Sequence, residues 1–163
     1  RELPLGETGE ITVRGPQVMR GYWQRPEETA QVLTAESWLR TGDLGSMDAG
    51  GYVTFADRRK DMIVVSGFKA YPAEIEDVVM RHPGVRDAGA VGVPDAHSGE
   101  AVALYIVKRD PLLTTEAVQA HCSAHLTGYK RPKHVIFRDV LPKSPIGKVL
   151  RRELKSSLAD THG

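Results

Sequence analysis

Residues 57–76 read DRRKDMIVVSGFKAYPAEIE, and the rest of the chain is interpreted outward from this stretch. It begins with five consecutive charged residues, 57–61, which predict an exposed turn because unpaired charges are costly to bury. The apolar run 62–65 follows and predicts a buried strand. Ser66-Gly67 ends this strand, and Pro72 lies where the first turn of a helix is expected. An exposed turn beside a core strand is suited to a hinge.

The residues after the charged turn predict a compact α+β domain over 58–158, with a mixed sheet and about three helices. The expected strands are 62–65, 85–93, 101–107 and 135–137, and the expected helices are 73–82, 115–126 and 150–158. Thr114 is the expected N-cap of the middle helix, and Gly128 its C-terminal stop. Residues 159–163 are expected to form a disordered tail.

Residues 1–57 predict a small β unit. The expected elements are a strand at 10–14, a short helix at 26–33, a strand at 38–43, and a hairpin of 44–47 and 52–55 about Gly50-Gly51. This unit has too little apolar surface to form a domain alone, so it is expected to be the end of a larger upstream domain. Because Arg1 is not an initiator residue, the chain is expected to start within a longer protein.

The composition is that of a globular protein, with 40% hydrophobic and 26% charged residues among 163. No apolar run approaches the ~20 residues that cross a bilayer. The single cysteine, Cys122, falls in a helical pattern and is expected to be buried, which fits a cytoplasmic protein without disulfides. The net charge is +1, but residues 129–155 hold nine Lys or Arg against two acidic residues. Such a segment favours polyanions: nucleotides, CoA, nucleic acid or anionic lipid.

Three motifs in order resemble one enzyme family. The pattern of charged, Gly and Pro residues in the opening stretch resembles the hinge and first loop of the small C-terminal domain of adenylate-forming enzymes, which include acyl-CoA synthetases, peptide-synthetase adenylation domains and luciferases. The residues that carry this pattern are Arg58, Lys60, Asp61, Gly67, Pro72, Glu74 and Glu76. Residues 38–43, WLRTGD, resemble the ribose-binding turn of this family, and 142–148, PKSPIGK, its catalytic-lysine loop.

Within this family the chain is most similar to bacterial long-chain fatty-acid CoA ligases. The segments that carry this similarity are GPQVMRGYWQRPEET at 15–29, KDMIVVSGFKAYPAEIEDVVMRHPGV at 60–85 and LTGYKRP at 126–132. The resemblance implies an ATP-dependent ligase that forms acyl-adenylate and pyrophosphate, and then transfers the acyl group to CoA with release of AMP.

The resemblance also implies roles for four residues, three of them in nucleotide chemistry and one in domain motion. Asp43 would hold the ribose of ATP and acyl-AMP, Arg58 would reach the same nucleotide, and Lys148 would be the catalytic lysine of adenylation. Lys60 would be the hinge of a domain rotation. The structural alternatives are a turn-capping aspartate and solvated surface cations.

Three further residues are candidates for CoA. The resemblance implies that Gly67, with Ser66 beside it, lines the tunnel for the pantetheine arm, and Lys130 is a candidate for the CoA phosphates. A glycine required by a strand-ending turn is an alternative that is compatible with the tunnel. The histidines show no ligand spacing with cysteine or carboxylates, so no metal site is expected.

The partners implied are fatty acid, ATP and CoA as substrates, and the upstream N-terminal domain of the parent protein. The Mg²⁺ ligands, phosphate loop, adenine pocket and acyl tunnel are expected upstream, so this fragment alone should be inactive. A homodimer and peripheral contact with the inner membrane stay open. The alternatives are another acyl- or aryl-CoA ligase, an adenylation domain that loads a carrier protein, and a nucleic-acid-binding module. The basic segment has no RNA-recognition signature, so nucleic acid is not expected as a partner.

Overall fold

The computed structural model describes residues 2–159, which divide into two compact units. The first unit ends at Lys60 and the second begins at Asp61, three residues after the predicted boundary. Ala159 is the last residue of a helix, and the rest of the predicted tail at 159–163 lies outside the described residues. No helix in the described part of the chain is long and apolar enough to cross a membrane.

The first unit is a three-stranded antiparallel sheet in the order β1-β2-β3. Its elements are β1 (Gly9–Val13), helix α1 (Pro26–Val32), β2 (Leu39–Met47) and β3 (Val53–Arg58). The predicted strands at 38–43 and 44–47 are one continuous strand, with an irregularity between Leu44 and Gly45. The predicted hairpin is confirmed, and its turn closes where the Asp48 amide donates to the Tyr52 carbonyl at 3.0 Å.

The expectation that all five charges of 57–61 lie in an exposed turn is wrong at Asp61, whose side chain is only 18% exposed, and at Asp57. This residue belongs to β3 and is only 2% exposed. Its Oδ1 accepts a hydrogen bond from the Arg58 amide at 2.7 Å, and such bonds offset part of the cost of burying a carboxylate. The turn itself is confined to 59–61.

The second unit is an α+β domain with a mixed sheet, as predicted. Its strands are β4 (Ile63–Val65), β5 (Phe68–Ala70), β6 (Val85–Asp95), β7 (Gly99–Lys108) and β8 (His134–Arg138). Its α-helices are α2 (Pro72–Met80), α3 (Thr115–His125) and α4 (Arg151–Ala159), and a short 3-10 helix spans Gly128–Lys130. The sheet order is β5-β4-β7-β6, and β8 runs parallel to β7.

The two faces of this sheet are covered by different elements. Alternate residues of β7 point to opposite faces, so Val102 and Leu104 join one buried cluster while Ala103 and Tyr105 join another. The first cluster contains α2 and α3 residues such as Ile75, Val79, Val118 and Cys122. The second contains Leu154 of α4 and, from the preceding loop, Leu141 with the partly buried Val149. The loop that contains Lys148 therefore packs on the α4 face.

Two details of α3 bear on the predictions. Thr114 is its N-cap as predicted, and its hydroxyl accepts a hydrogen bond from the Ala117 amide at 3.2 Å. Gly128 is not its stop, because Leu126 already has extended backbone angles and Gly128 begins the 3-10 helix. Cys122 is buried as predicted, and burial raises the pKa of its thiol.

Candidate functional site

Asp43 and Arg58 lie side by side on neighbouring strands of the first unit. They are register partners between β2 and β3, and the Arg58 Nε lies 3.9 Å from an Asp43 carboxylate oxygen. Both side chains are about half exposed, at 41% for Asp43 and 54% for Arg58. An exposed carboxylate can accept hydrogen bonds from a diol, and an exposed guanidinium beside it can donate hydrogen bonds to a phosphate.

The backbone before Asp43 is shaped by a glycine and a threonine. Gly42 has a φ of +76°, and its carbonyl accepts a hydrogen bond from the Arg59 amide at 2.8 Å. The Thr41 hydroxyl accepts from the Asp43 amide at 3.1 Å and donates to the Ile11 carbonyl at 2.8 Å. This bonding fixes the backbone of residues 41–43 within β2 while leaving the Asp43 carboxylate exposed.

Lys60 is exposed in the turn at 59–61 and is the last residue of the first unit. No ion pair or hydrogen bond holds its side chain among residues 2–159. Asp61, which follows it, is instead bonded within the second unit. A change of backbone torsion at Lys60 would therefore break no side-chain contact of that residue.

Lys148 lies at the end of a tight hairpin. The Gly147 amide donates to the Ser144 carbonyl and the Ser144 amide to the Lys148 carbonyl, both at 2.8 Å. Gly147 has a φ of +80°, which glycine adopts without strain. The Lys148 side chain is exposed and forms no ion pair within the described residues. The hairpin therefore presents a positive charge that is available to a ligand.

Both ends of this hairpin are attached to the domain. Lys143 forms an ion pair with Asp87 of β6. The Leu150 amide donates to the Pro142 carbonyl at 2.8 Å. Arg151, which begins α4, is bonded to the carboxylates of Asp61 and Glu76. Sequence reasoning weighed Arg151 only as one of several cations, although both of its partners belong to the motif that carries the family resemblance.

Ser66 and Gly67 form the two-residue turn of the β4-β5 hairpin. Both have positive φ, at +50° and +83°, which is the requirement of a type I′ turn. A Cβ added at Gly67 would meet no atom of the described chain within 4 Å. The turn alone therefore explains the glycine, and the space beside it is open. The Ser66 amide donates to the Ser98 carbonyl at 2.8 Å, which attaches the turn to the loop between β6 and β7.

Lys130 lies near this hairpin but its charge is already paired. Phe68 of β5 stacks on Tyr129, with ring centroids 5.0 Å apart, and Lys130 Nζ donates to Glu74 at 2.6 Å. Desolvation lowers the pKa of Lys130, but the hydrogen bond and charge of Glu74 raise it more, so the net pKa lies above the ordinary lysine value. Only 17% of its side chain is exposed, which weakens it as a candidate for the CoA phosphates.

Three histidines of the second unit make contacts with one another's rings and with backbone groups: His82, His121 and His125. His121 packs against the rings of His82 and His125, and its Nε2 lies 2.9 Å from the Val78 carbonyl oxygen. Among residues 2–159, no three His, Cys, Asp or Glu side chains are placed to hold a metal ion.

The structure places the candidate site residues in separate groups. Asp43 and Arg58 are adjacent in the first unit. In the second unit, Tyr129, next to Lys130, packs on the α2 and α3 cluster, while Val149, next to Lys148, packs on the α4 cluster. The catalytic-lysine candidate and the Lys130 candidate therefore belong to opposite faces of one sheet.

Comparisons with known proteins agree with these motifs. The family model described as the AMP-binding enzyme C-terminal domain matches residues 74–148. A long-chain-fatty-acid–CoA ligase of Salmonella typhimurium is 58% identical over 154 residues, which are 94% of this chain and 27% of that protein. One of Bacillus subtilis is 45% identical over 157 residues, which are 96% of this chain and 28% of that protein.

A solved structure gives the same result for the fold. The crystal structure of ATP-bound MatB from Rhodopseudomonas palustris matches with a TM-score of 0.93 at 37% identity, over 100% of this chain and 33% of that one. The chain spans less than a third of the length of the Salmonella and Bacillus ligases. It belongs to the adenylate-forming, AMP-binding enzyme family and carries that family's C-terminal domain.

Proposed function

We propose that the chain is the C-terminal portion of an ATP-dependent long-chain fatty-acid CoA ligase. The observation that carries the proposal is the 58% identity with such a ligase along 94% of the chain. The parent enzyme would join a fatty acid to AMP with release of pyrophosphate, and then transfer the acyl group to the thiol of CoA with release of AMP. The first unit, which ends at Lys60, would be the end of the large domain that binds nucleotide and acyl chain, and the second unit, which begins at Asp61, would be the small mobile domain.

Asp43 and Arg58 would hold the nucleotide. The exposed Asp43 carboxylate can accept hydrogen bonds from both ribose hydroxyls, and the neighbouring Arg58 guanidinium can donate to an oxygen of the same nucleotide. Their adjacency on β2 and β3 supports this role, because one ligand could reach both groups.

Lys148 would act in adenylation. The fatty-acid carboxylate and the α-phosphate of ATP both carry negative charge and must approach each other. A lysine ammonium placed between them stabilises the charge that develops in the transition state. The exposed position of Lys148 at the end of a braced hairpin supports this role, since no group in the described chain neutralises it.

The second half-reaction would use a different part of the small domain. The Lys148 hairpin lies on the α4 face of the sheet, while Lys130 lies on the face that α2 and α3 cover. A domain that presents one region for adenylation and another for thioester formation has to rotate between the two steps. Lys60 would be the hinge, and Ser66 and Gly67 would line the path of pantetheine, with Lys130 at most a minor contact.

Mg²⁺ would accompany ATP, with ligands in the upstream domain, and no residue of this chain is assigned to it. ATP and CoA as substrates favour a cytoplasmic enzyme. Peripheral contact with the inner membrane and homodimerisation are further hypotheses, which cell fractionation and size-exclusion chromatography of the full-length enzyme would test.

The test is a direct assay of the full-length parent protein with fatty acids of increasing chain length, ATP, Mg²⁺ and CoA. We expect formation of acyl-CoA, detected by mass spectrometry, together with one AMP and one pyrophosphate. Acyl transfer to a carrier protein but not to CoA would support the carrier-loading alternative. Preference for short or aromatic acids would leave the ligase class but overturn the long-chain assignment.

The 163-residue chain is the matched control in this assay. We expect no acyl-CoA from it, because the adenine and acyl pockets are proposed to lie upstream. Measurable acyl-CoA from this chain alone would show that the adenine and acyl pockets do not lie upstream.

A further inference from the structure

Arg151 joins three parts of the second unit that are distant in sequence. It is the first residue of α4, and it follows Lys148 by three positions. Its Nη2 donates to Glu76 Oε2 at 2.7 Å and its Nε to Glu76 Oε1 at 3.2 Å, which is a two-point contact with α2. Its Nη1 lies 3.4 Å from Asp61 Oδ2. Asp61 is the residue that immediately follows Lys60.

This cluster is more enclosed than an ordinary surface ion pair. The side chains of Arg151, Asp61 and Glu76 are only 18–19% exposed. Glu76 Oε1 also accepts a hydrogen bond from the Ala90 amide at 2.9 Å, so α2 is joined to β6 through the same carboxylate. A partly enclosed guanidinium held at two points has one orientation, whereas exposed pairs exchange among several.

The position of Lys148 depends on how its hairpin is held. The side chain of Lys148 has no ion pair of its own within the described residues, so the backbone must set where its charge lies. The first leg of the hairpin is attached to β6 by the Lys143–Asp87 pair. The second leg runs through Val149 and Leu150 directly into Arg151, which is the nearest attachment by a charged side chain on that side.

We propose that Arg151 is a positioning residue for Lys148. It fixes the second leg of the lysine hairpin to α2 through Glu76, and it ties that leg to Asp61 at the start of the mobile domain. A displacement of Asp61 or of the Lys148 hairpin would therefore disturb the same contacts of Arg151. This inference rests on the proposed function, because it assigns Arg151 an effect on adenylation through Lys148.

The test uses the full-length enzyme, four single variants and one double mutant. Arg151→Lys keeps the charge but loses the two-point contact, and Glu76→Gln keeps an acceptor for the Ala90 amide but loses the charge. Arg152→Lys is the matched control, since Arg152 is exposed and adjacent. Lys148→Ala supplies the background for a double mutant with Arg151→Lys. The measurement is the single-turnover rate of acyl-adenylate formation as a function of ATP concentration at saturating fatty acid, which gives both the maximal rate and the KM for ATP.

We expect Arg151→Lys and Glu76→Gln to slow acyl-adenylate formation about 10- to 100-fold with little change in the KM for ATP, because a misplaced catalytic group loses rate rather than ground-state binding. Arg152→Lys should match wild type. In the Lys148→Ala background, Arg151→Lys should cost less than about twofold more, because residues that act through one another are not additive.

Each result has a distinct meaning. A wild-type parent that forms no acyl-adenylate would overturn the proposed function, on which the inference rests. An active parent in which Arg151→Lys equals Arg152→Lys would overturn the inference alone. So would a full multiplicative loss in the double mutant, since that would mean that Arg151 supports folding or binding independently of Lys148. Thermal unfolding of each variant, measured in parallel, corrects the rates for the folded fraction.

Discussion

At the scale of single residues, Lys148 is the group with the most direct expected effect. Replacing it with alanine in the full-length enzyme should reduce acyl-adenylate formation by about 100- to 1,000-fold, the usual loss when one preorganised donor to developing charge is removed. Thioester formation from supplied acyl-AMP should change far less, because the carboxylate and α-phosphate are then already joined. Single-turnover measurement of each half-reaction checks this.

Lys143→Ala is the control for Lys148. Lys143 lies on the same hairpin, and its ammonium is paired with Asp87. The Lys143→Ala variant should therefore be less stable to unfolding, with little change in the rate of acyl-adenylate formation. Equal losses in both half-reactions of Lys148→Ala, or a loss in neither, would contradict the assigned role.

Lys130 gives a pH-dependent prediction. Its pKa is raised in the folded protein, so the protonated lysine stabilises the fold. That contribution is fully present below about pH 10.4, the unfolded pKa, and is lost as the pH rises through the higher folded pKa. The difference in unfolding free energy between wild type and Lys130→Met should therefore shrink between pH 8 and pH 11, as measured by urea denaturation of the 163-residue chain.

The exposed Lys155 supplies a comparison for this measurement. Lys155→Met should show little difference from wild type at either pH. A Lys130→Met difference that stayed constant up to pH 11 would mean that the pairing with Glu74 does not contribute.

At the scale of elements, the β4-β5 hairpin depends on its turn. Gly67→Ala places a Cβ at a φ of +83°, which should cost about 1–2 kcal/mol of unfolding free energy although the space is open. Ser66→Asn should be tolerated or slightly stabilising, because Asn-Gly is the preferred type I′ pair. Gly128→Ala is the control, since its Cβ also meets nothing and its φ is not positive. The measurement is chemical denaturation. Equal losses of unfolding free energy for Gly67→Ala and Gly128→Ala would contradict the claim that the turn requires glycine at position 67.

The elements that could be predicted from sequence are those with long apolar runs. Strands β6 and β7 contain such runs, and α2 has both a Pro start and an apolar face. Strand β5 was missed because it has three residues, of which only Ala70 is buried. Its pairing with β4 depends on the turn at Ser66-Gly67 rather than on a hydrophobic pattern.

The candidate site was predictable only where residues are close in sequence. Lys148, Ser66 and Gly67 lie in local motifs, and their turns were expected. Arg151 was not singled out, because its partners Asp61 and Glu76 are 90 and 75 positions away. A charged residue at the start of a polar helix has the same local pattern whether it faces solvent or two carboxylates.

At the scale of the whole molecule, Lys60 is the point at which one compact unit ends and the next begins. The residue after it, Asp61, is held by Arg151, so the freedom to change torsion is concentrated before Asp61. Lys60 itself is exposed and without a side-chain partner in the described chain, so no packing opposes such a change.

Proline at this position would test the hinge. Lys60→Pro fixes φ near about −65°. If that torsion suits the first conformation, adenylation should stay largely intact, while thioester formation falls severely because the Ser66-Gly67 turn cannot be brought to the CoA path. Lys60→Ala keeps the torsional freedom and should be nearly silent in both half-reactions. The measurement is single-turnover acyl transfer from supplied acyl-AMP to CoA, with adenylation measured separately. A proline variant that transfers acyl groups at the parental rate would falsify the hinge assignment, whereas equal losses for Pro and Ala would point to a contact made by the lysine side chain.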